Sequence, residues 1–166
     1  TRKVINEYST IGLVITTDGS ITDLEREEYI EAEERVVNEL KEINKPFVIV
    51  LNSTKPHDSE TIRLKEELEE KYLVPVININ CAQMRFEDIN MILERILYEF
   101  PVNEIGINIP GWIETLDEEN KIKTDMINSV KDVFENSSKI REVKESMAEF
   151  QNYNFIKKAS IERINL

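Results

Sequence analysis

The sequence predicts an α/β layer structure: a partial doubly wound parallel sheet, followed by the helical start of a second domain. Three observations predict it. The first hundred residues repeat one unit three times, a short apolar run, a turn and a segment of helical period. The middle run, Pro46 to Leu51 (PFVIVL), is continuous and β-branched, the pattern of a strand covered on both faces, as in a parallel sheet between helices. After Phe100-Pro101 the rhythm changes and apolar residues recur three and four apart over a long stretch. Strands alternating with helices of this length imply crossover connections that lay the helices on the sheet.

Ile11 to Thr16 (IGLVIT) is the first strand, and Thr17-Asp18-Gly19-Ser20 closes it with turn chemistry. Thr22 with Glu25 three positions later has the form of a capping box and predicts a helix of about twenty residues. Its apolar face is expected at Tyr29, Ala32, Val36, Leu40 and Ile43, with acids on the rest. The second strand, ending at Leu51, leads through Asn52 to Asp58 into a helix marked by Leu64, Leu68 and Tyr72. Val74 to Asn80 is the third strand, followed by a loop and a helix carrying Phe86, Ile89, Ile92, Leu93, Ile96 and Phe100.

Beyond residue 101, Val102 to Ile109 reads as a strand and Pro110-Gly111-Trp112 as a turn. From Ile122 the positions Met126, Val130, Val133, Ile140, Val143, Met147 and Phe150 trace one long amphipathic helix, kinked at Asn136-Ser137-Ser138. Ser160 to Leu166 resembles a strand cut off early. A domain boundary is therefore expected near residue 101, with the second domain incomplete. The chain opens on Thr1 without a methionine, so a piece of a longer protein is expected.

Acids outnumber bases by 33 to 21, a formal net charge of -12. Such a balance excludes a chain whose main work is to coat nucleic acid or anionic lipid, since both need a positive field. No apolar run approaches the ~18 residues of a spanning helix, which points to a cytoplasmic protein without direct membrane insertion. One cysteine and one histidine leave no internal disulfide and no metal-ligand spacing. Residues 1–100 hold 21 acids and 12 bases, and nine of those acids lie between Asp23 and Glu42. They are expected on the outer, solvated face of the first helix, or on a docking face for a basic partner.

In a doubly wound sheet the ligand sits at the carboxyl ends of the strands. Three loops are available there: Thr17 to Ser20, Asn52 to Pro56 and Asn80 to Met84. The chain has four glycines and no glycine-rich phosphate loop, so it has no recognisable means of holding a triphosphate or its magnesium ion. The loop order nevertheless resembles the second half of a P-loop GTPase domain, where the middle loop carries N-K-x-D and the last carries S-A-K. Here the middle loop reads Asn52-Ser53-Thr54-Lys55, with lysine where the guanine-binding aspartate stands. Lysine has donors only, so buried guanine N–H groups facing it would be unpaired at roughly 1–3 kcal/mol each, and guanine selectivity should be lost.

Asp18 in an Asp-Gly turn needs no further role, and His57 in a polar loop has no partner that the sequence identifies. Two readings from other classes stand beside the nucleotide one. They are a non-catalytic α/β assembly module and a receiver-type regulatory domain, in which Asn52 would occupy the phosphoacceptor position.

Several longer blocks carry a closer resemblance. Thr1-Arg2-Lys3-Val4-Ile5, Ser9-Thr10-Ile11-Gly12, Thr16-Thr17-Asp18-Gly19, Tyr29 to Val36 (YIEAEERV), Glu39 to Glu42, Lys45-Pro46-Phe47 and Tyr98 to Val102 (YEFPV) are similar to the stage IV sporulation protein A family of endospore-forming bacteria. The resemblance covers essentially the whole chain, more loosely after residue 113. It implies that residues 1–100 are the C-terminal half of a P-loop ATPase/GTPase-like domain and residues 101–166 the beginning of a middle domain. It further implies a parent that hydrolyses ATP with magnesium to drive self-assembly of the spore coat basement layer on the forespore surface. Further coat proteins and a small amphipathic membrane-bound peptide would be its partners. The family's phosphate loop and magnesium-side motif fall upstream of Thr1, so no catalytic residue is carried over and no cofactor is expected on this chain alone. Asn52, Ser53, Lys55 and Cys81 are the candidate remnants of the base pocket. The phosphate-loop strand would flank Ile11 to Thr16, so a dimer, higher assembly or rearranged segment is expected at that edge.

Overall fold

The computed structural model describes Ile5 and residues 7–165. The Thr1 to Val4 part of the first resembling block and the final Leu166 lie outside the described residues. Contacts divide the chain into two units, Thr1–Glu99 and Phe100–Leu166.

The first unit is built on three parallel strands in the order β1-β2-β3: β1 is Gly12–Thr17, β2 Phe47–Asn52 and β3 Val76–Ile79. Gly12 pairs with Phe47 and Thr17 with Asn52, while Ile49 pairs with Val76 and Asn52 with Ile79. This register brings the carboxyl ends of all three strands to one edge. Helices α1 (Glu27–Glu42), α2 (Ser59–Tyr72) and α3 (Phe86–Tyr98) alternate with the strands. The α/β layer with a partial parallel sheet is thus the observed architecture.

Val14, Ile49, Leu51 and Val76 form one core with Val37 and Leu40 of α1 and Leu68 and Tyr72 of α2. Strand alternation sends Val48 and Val50 to the other face, where α3 contacts β2 and buries Ile92 and Ile96. β2 is therefore covered on both sides, which is why its sequence has no polar alternation. β1 is different, because Leu13 and Ile15 stay 46% and 61% exposed. On α3, Phe86, Ile89 and Leu93, expected as part of the apolar face, are exposed as well.

Two expectations for α1, its start and its buried face, are corrected by the structure. The helix begins at Glu27, not beside Thr22, and Arg26 precedes it with no side-chain cap. Thr22 Oγ1 instead accepts from Leu24 N at 3.3 Å and bonds Tyr29 Oη at 2.6 Å. The buried stripe is Glu33, Val37 and Leu40, and Val36 is exposed. One residue is 100° of helix, so the face has turned to bring a glutamate inward. Glu33 is buried because Thr16, Arg26 and Tyr72 all bond to it. One of the nine acids expected on the outer face is thus in the core.

α2 ends on Leu73, whose φ of 53° is left-handed and whose N–H bonds the Glu69 carbonyl at 2.8 Å. A side chain is strained there and glycine is not. Leu73 is 74% exposed, so little packing is lost by removing it. Leu73→Gly is expected to stabilise the unit by about 0.5–1 kcal/mol after the entropy gained by the unfolded chain is subtracted. A raised urea midpoint is the check; a lowered one would mean that the leucine is held by contacts.

In the second unit the expected strand from Val102 to Ile109 is reduced to one isolated bridge, Pro101 with Lys139, flanked by Val102 N to Ser138 O at 2.9 Å and Ile140 N to Phe100 O at 3.1 Å. No ladder forms beyond it. The expected long helix is two: α5 (Lys121–Phe134) and α6 (Ile140–Ser146), after a short α4 (Gly111–Glu114). Asn136-Ser137-Ser138 breaks the helix, since Glu142 Oε2 accepts from Ser138 N at 2.7 Å and from Lys139 N at 3.0 Å and starts α6 afresh. Met147–Asn152 continues as 3-10 helix, and Phe150 packs edge-on against Phe134 at 5.5 Å. Residues 160–165 contain no strand.

Candidate functional site

The turn after β1 is fixed by its own aspartate. Gly19 has a φ of 89°, which a side chain would strain, and Asp18 Oδ1 accepts from Ser20 N at 3.0 Å and Ser20 Oγ at 2.6 Å. The neighbouring strand of the sheet brings the next loop alongside, and Thr54 N donates to Ser20 Oγ at 3.0 Å. Ser53, fully buried, accepts from Lys55 N at 3.0 Å and lies 3.3 Å from Thr61 Oγ1 in the first turn of α2. Thr61 Oγ1 donates in turn to Asp18 Oδ2 at 3.3 Å. These groups frame a cleft of about 310 Å³ lined by Asp18, Ser20, Ser53, Lys55, Asp58 and Thr61 among others.

Burial alone would raise the Asp18 carboxyl, but hydrogen bonds from Ser20, Ser53 and Thr61 outweigh it and hold the group below its ordinary range. The cleft therefore presents an ionised acceptor, several hydroxyls and one lysine. It suits a ligand with N–H or O–H donors.

The four residues predicted from sequence are divided between two sides of the sheet edge. Ser53 and Lys55 belong to the cleft. Asn52, one residue earlier, points the other way, and its Oδ1 accepts from Cys81 N at 2.9 Å. Asn52 and Cys81 thus tie the second loop to the third. Asn78 Nδ2 adds a bond to the Pro56 carbonyl, and burial pushes the Cys81 thiol up, away from thiolate. Asp18, Ser20 and Thr61 were missed as site residues. Adjacency of β1 and β2 was the available signal, because it forces their two loops together.

A second polar cluster lies within the same helix-covered layer. Arg26 Nη2 is 2.8 Å from each carboxylate oxygen of Glu33, Arg26 Nη1 donates to Thr16 Oγ1 at 3.1 Å, and Tyr72 Oη donates to Glu33 Oε1 at 2.9 Å. Thr16 Oγ1 donates to the remaining Glu33 oxygen. Burial would raise the Glu33 carboxyl, yet the bonds from Arg26 and Thr16, the Arg26 charge and the Tyr72 bond together lower it. Among the described residues no group of three or more His, Cys, Asp or Glu is placed to hold a metal ion, and no helix is long and apolar enough to cross a membrane.

A partial parallel sheet between helices, with a polar cleft at the carboxyl ends of its strands, defines an α/β domain of the doubly wound kind. The chain belongs to the stage IV sporulation protein A family. Residues 1–101 match the description "Stage IV sporulation protein A, ATPase domain" and residues 102–166 "Stage IV sporulation protein A, middle domain". Over all 166 residues the chain is 44% identical to stage IV sporulation protein A of Bacillus subtilis (strain 168), 43% to that of Clostridioides difficile (strain 630) and 42% to that of Bacillus anthracis. It spans 34% of the length of each of these relatives. No solved structure matches it significantly.

Proposed function

We propose that this chain supplies the base-side loops of an ATP-hydrolysing sporulation protein, whose ATP turnover drives self-assembly of the spore coat basement layer. The observation that carries the reading is the match of residues 1–101 to the family's ATPase domain. The loops at the carboxyl strand ends are where such a domain meets its ligand. In this reading Lys55 contacts the base or sugar and the buried Ser53 braces its loop from behind, while Asn52 and Cys81 hold the two loops in register. Lysine at the fourth position of Asn52-Ser53-Thr54-Lys55 favours adenine over guanine for want of an acceptor there.

The cleft residues fit a base or sugar but not the triphosphate with its magnesium. Three acids, Asp18, Asp58 and Glu60, face one lysine, Lys55, in the lining, and like charges repel phosphate. The phosphates are accordingly assigned to residues outside this chain. The protein would act in the mother-cell cytoplasm at the forespore surface. Its partners would be other copies, coat proteins and a small amphipathic membrane-bound peptide. The net charge of -12 favours protein partners over nucleic acid or direct membrane insertion.

Two measurements test this. The purified chain incubated with ATP and magnesium is expected to release no phosphate above a denatured control. In the full-length protein, Lys55→Glu is expected to raise KM for ATP roughly tenfold, or about 1.4 kcal/mol of binding, with kcat nearly unchanged. A lowered kcat at constant KM would place this loop at the phosphates instead.

A further inference from the structure

The loop that carries Asp18 and Ser20 leaves the sheet after Thr16 and Thr17 and ends at Arg26, just before the helix begins at Glu27. Its two ends, Thr16 and Arg26, bond to each other at 3.1 Å and both bond to the one carboxylate of Glu33. Glu33 is in turn held by Tyr72 at the last position of α2, and the first turn of α2 holds Asp18 through Thr61. The loop is therefore closed at its base by one buried acid and touched at its tip by the opposite end of the same helix. A buried ion pair of this kind is weak evidence for stability, since apolar residues of similar size often do as well. What it does fix is position.

We propose that Glu33 is the positioning residue of the cleft: by drawing Thr16 and Arg26 to one carboxylate it sets where Asp18 and Ser20 stand against Ser53 and Thr61. Glu33 lines no part of the cleft. Its effect on binding runs through the loop, and the consequence for ATP rests on the reading given under Proposed function.

Amide hydrogen exchange on the 166-residue chain separates this from a general packing role. Arg26→Met with Glu33→Met removes both charges and leaves the core filled, so the fold is retained. The ladder amides of Ile49 and Ser53, which bond Pro75 and Ile79, are expected to keep their protection. The amides of Ser20 and Thr54 are expected to exchange roughly tenfold faster. Tyr72→Phe, which leaves both loop ends on Glu33, is expected to leave those two amides unchanged. Unaltered loop exchange in the double variant, or equal loosening in Tyr72→Phe, would overturn the proposal. In the full-length protein the double variant is expected to raise KM for ATP several-fold at near-constant kcat. Loosened loop amides with an unaltered KM would support the positioning role and overturn the assignment of the nucleotide to this cleft.

Discussion

Glu33→Ala is expected to lower the unfolding free energy by about 3–5 kcal/mol, the cost of leaving a buried charge without its partner. The side chains of Arg26 and Glu33 are 13% and 2% exposed, so the guanidinium cannot turn to water without moving the loop. Its Nε is buried and already lacks a hydrogen-bond partner. Removing the carboxylate would strand Nη2 and the hydroxyls of Thr16 and Tyr72 as well. For a domain of ordinary stability, about 5–15 kcal/mol, that is a large share. The apolar pair Arg26→Met and Glu33→Met is expected to recover most of the loss, because neither charge is then buried. Urea denaturation of the three proteins gives the comparison. A loss below about 1 kcal/mol for Glu33→Ala would mean that the pair behaves as a surface ion pair.

The same residue marks the limit of what sequence periodicity conveys. Apolar counting placed the inner face of α1 on Val36, because a glutamate at position 33 scores as solvent-facing. Its burial depends on three donors that are 17, 7 and 39 positions away, which no local pattern encodes. β2 was legible because its reason is local: six consecutive residues, Phe47 to Asn52, with every side chain but the last buried. Asn136-Ser137-Ser138 was legible as an interruption but not as a stop. What decides there is the Glu142 carboxylate reaching back to two backbone donors. Val102 to Ile109 has strand-like composition, yet a strand needs a partner, and pairing stops at the Pro101 bridge to Lys139 and the bond from Val102 N to Ser138 O.

For the site, the three loops were identified by topology alone, since the ends of parallel strands must share an edge. Which side chains meet there depended on a finer rule. Asn52 and Ser53 are adjacent in sequence and so belong to different faces, and the expected group of four could not form one wall. Asp18 looked sufficiently explained as a turn former. Its second oxygen, bonded by Thr61 from 43 residues away, is what makes it part of the cleft.

Tyr72 makes the largest pH effect that the structure implies. Burial is the main cause, and the hydrogen bond to Glu33 and its negative charge add to it; with Lys71 opposing, the phenol is pushed up to about 12 from an ordinary value of 10.0. The unfolded chain therefore releases this proton first. Stability contributed by the neutral phenol is complete below pH ~10 and is lost as the pH rises through about 12. The full difference of two units corresponds to roughly 2–3 kcal/mol. Lys71, raised chiefly by its hydrogen bond with Glu34, lies over the Tyr72 ring at 5.1 Å. Tyr72→Phe keeps that lysine and removes only the phenol, so the difference between the two proteins isolates it. The variant is expected to be less stable than the parent near neutrality by about 1 kcal/mol, the worth of one hydrogen bond, and to close or reverse that gap above pH ~11. Ultraviolet titration should show one of the five tyrosines ionising later than the others and absent from the variant. Parallel alkaline declines in the two proteins would place the hydroxyl in water, and with it would go the wall against which Glu33 is held.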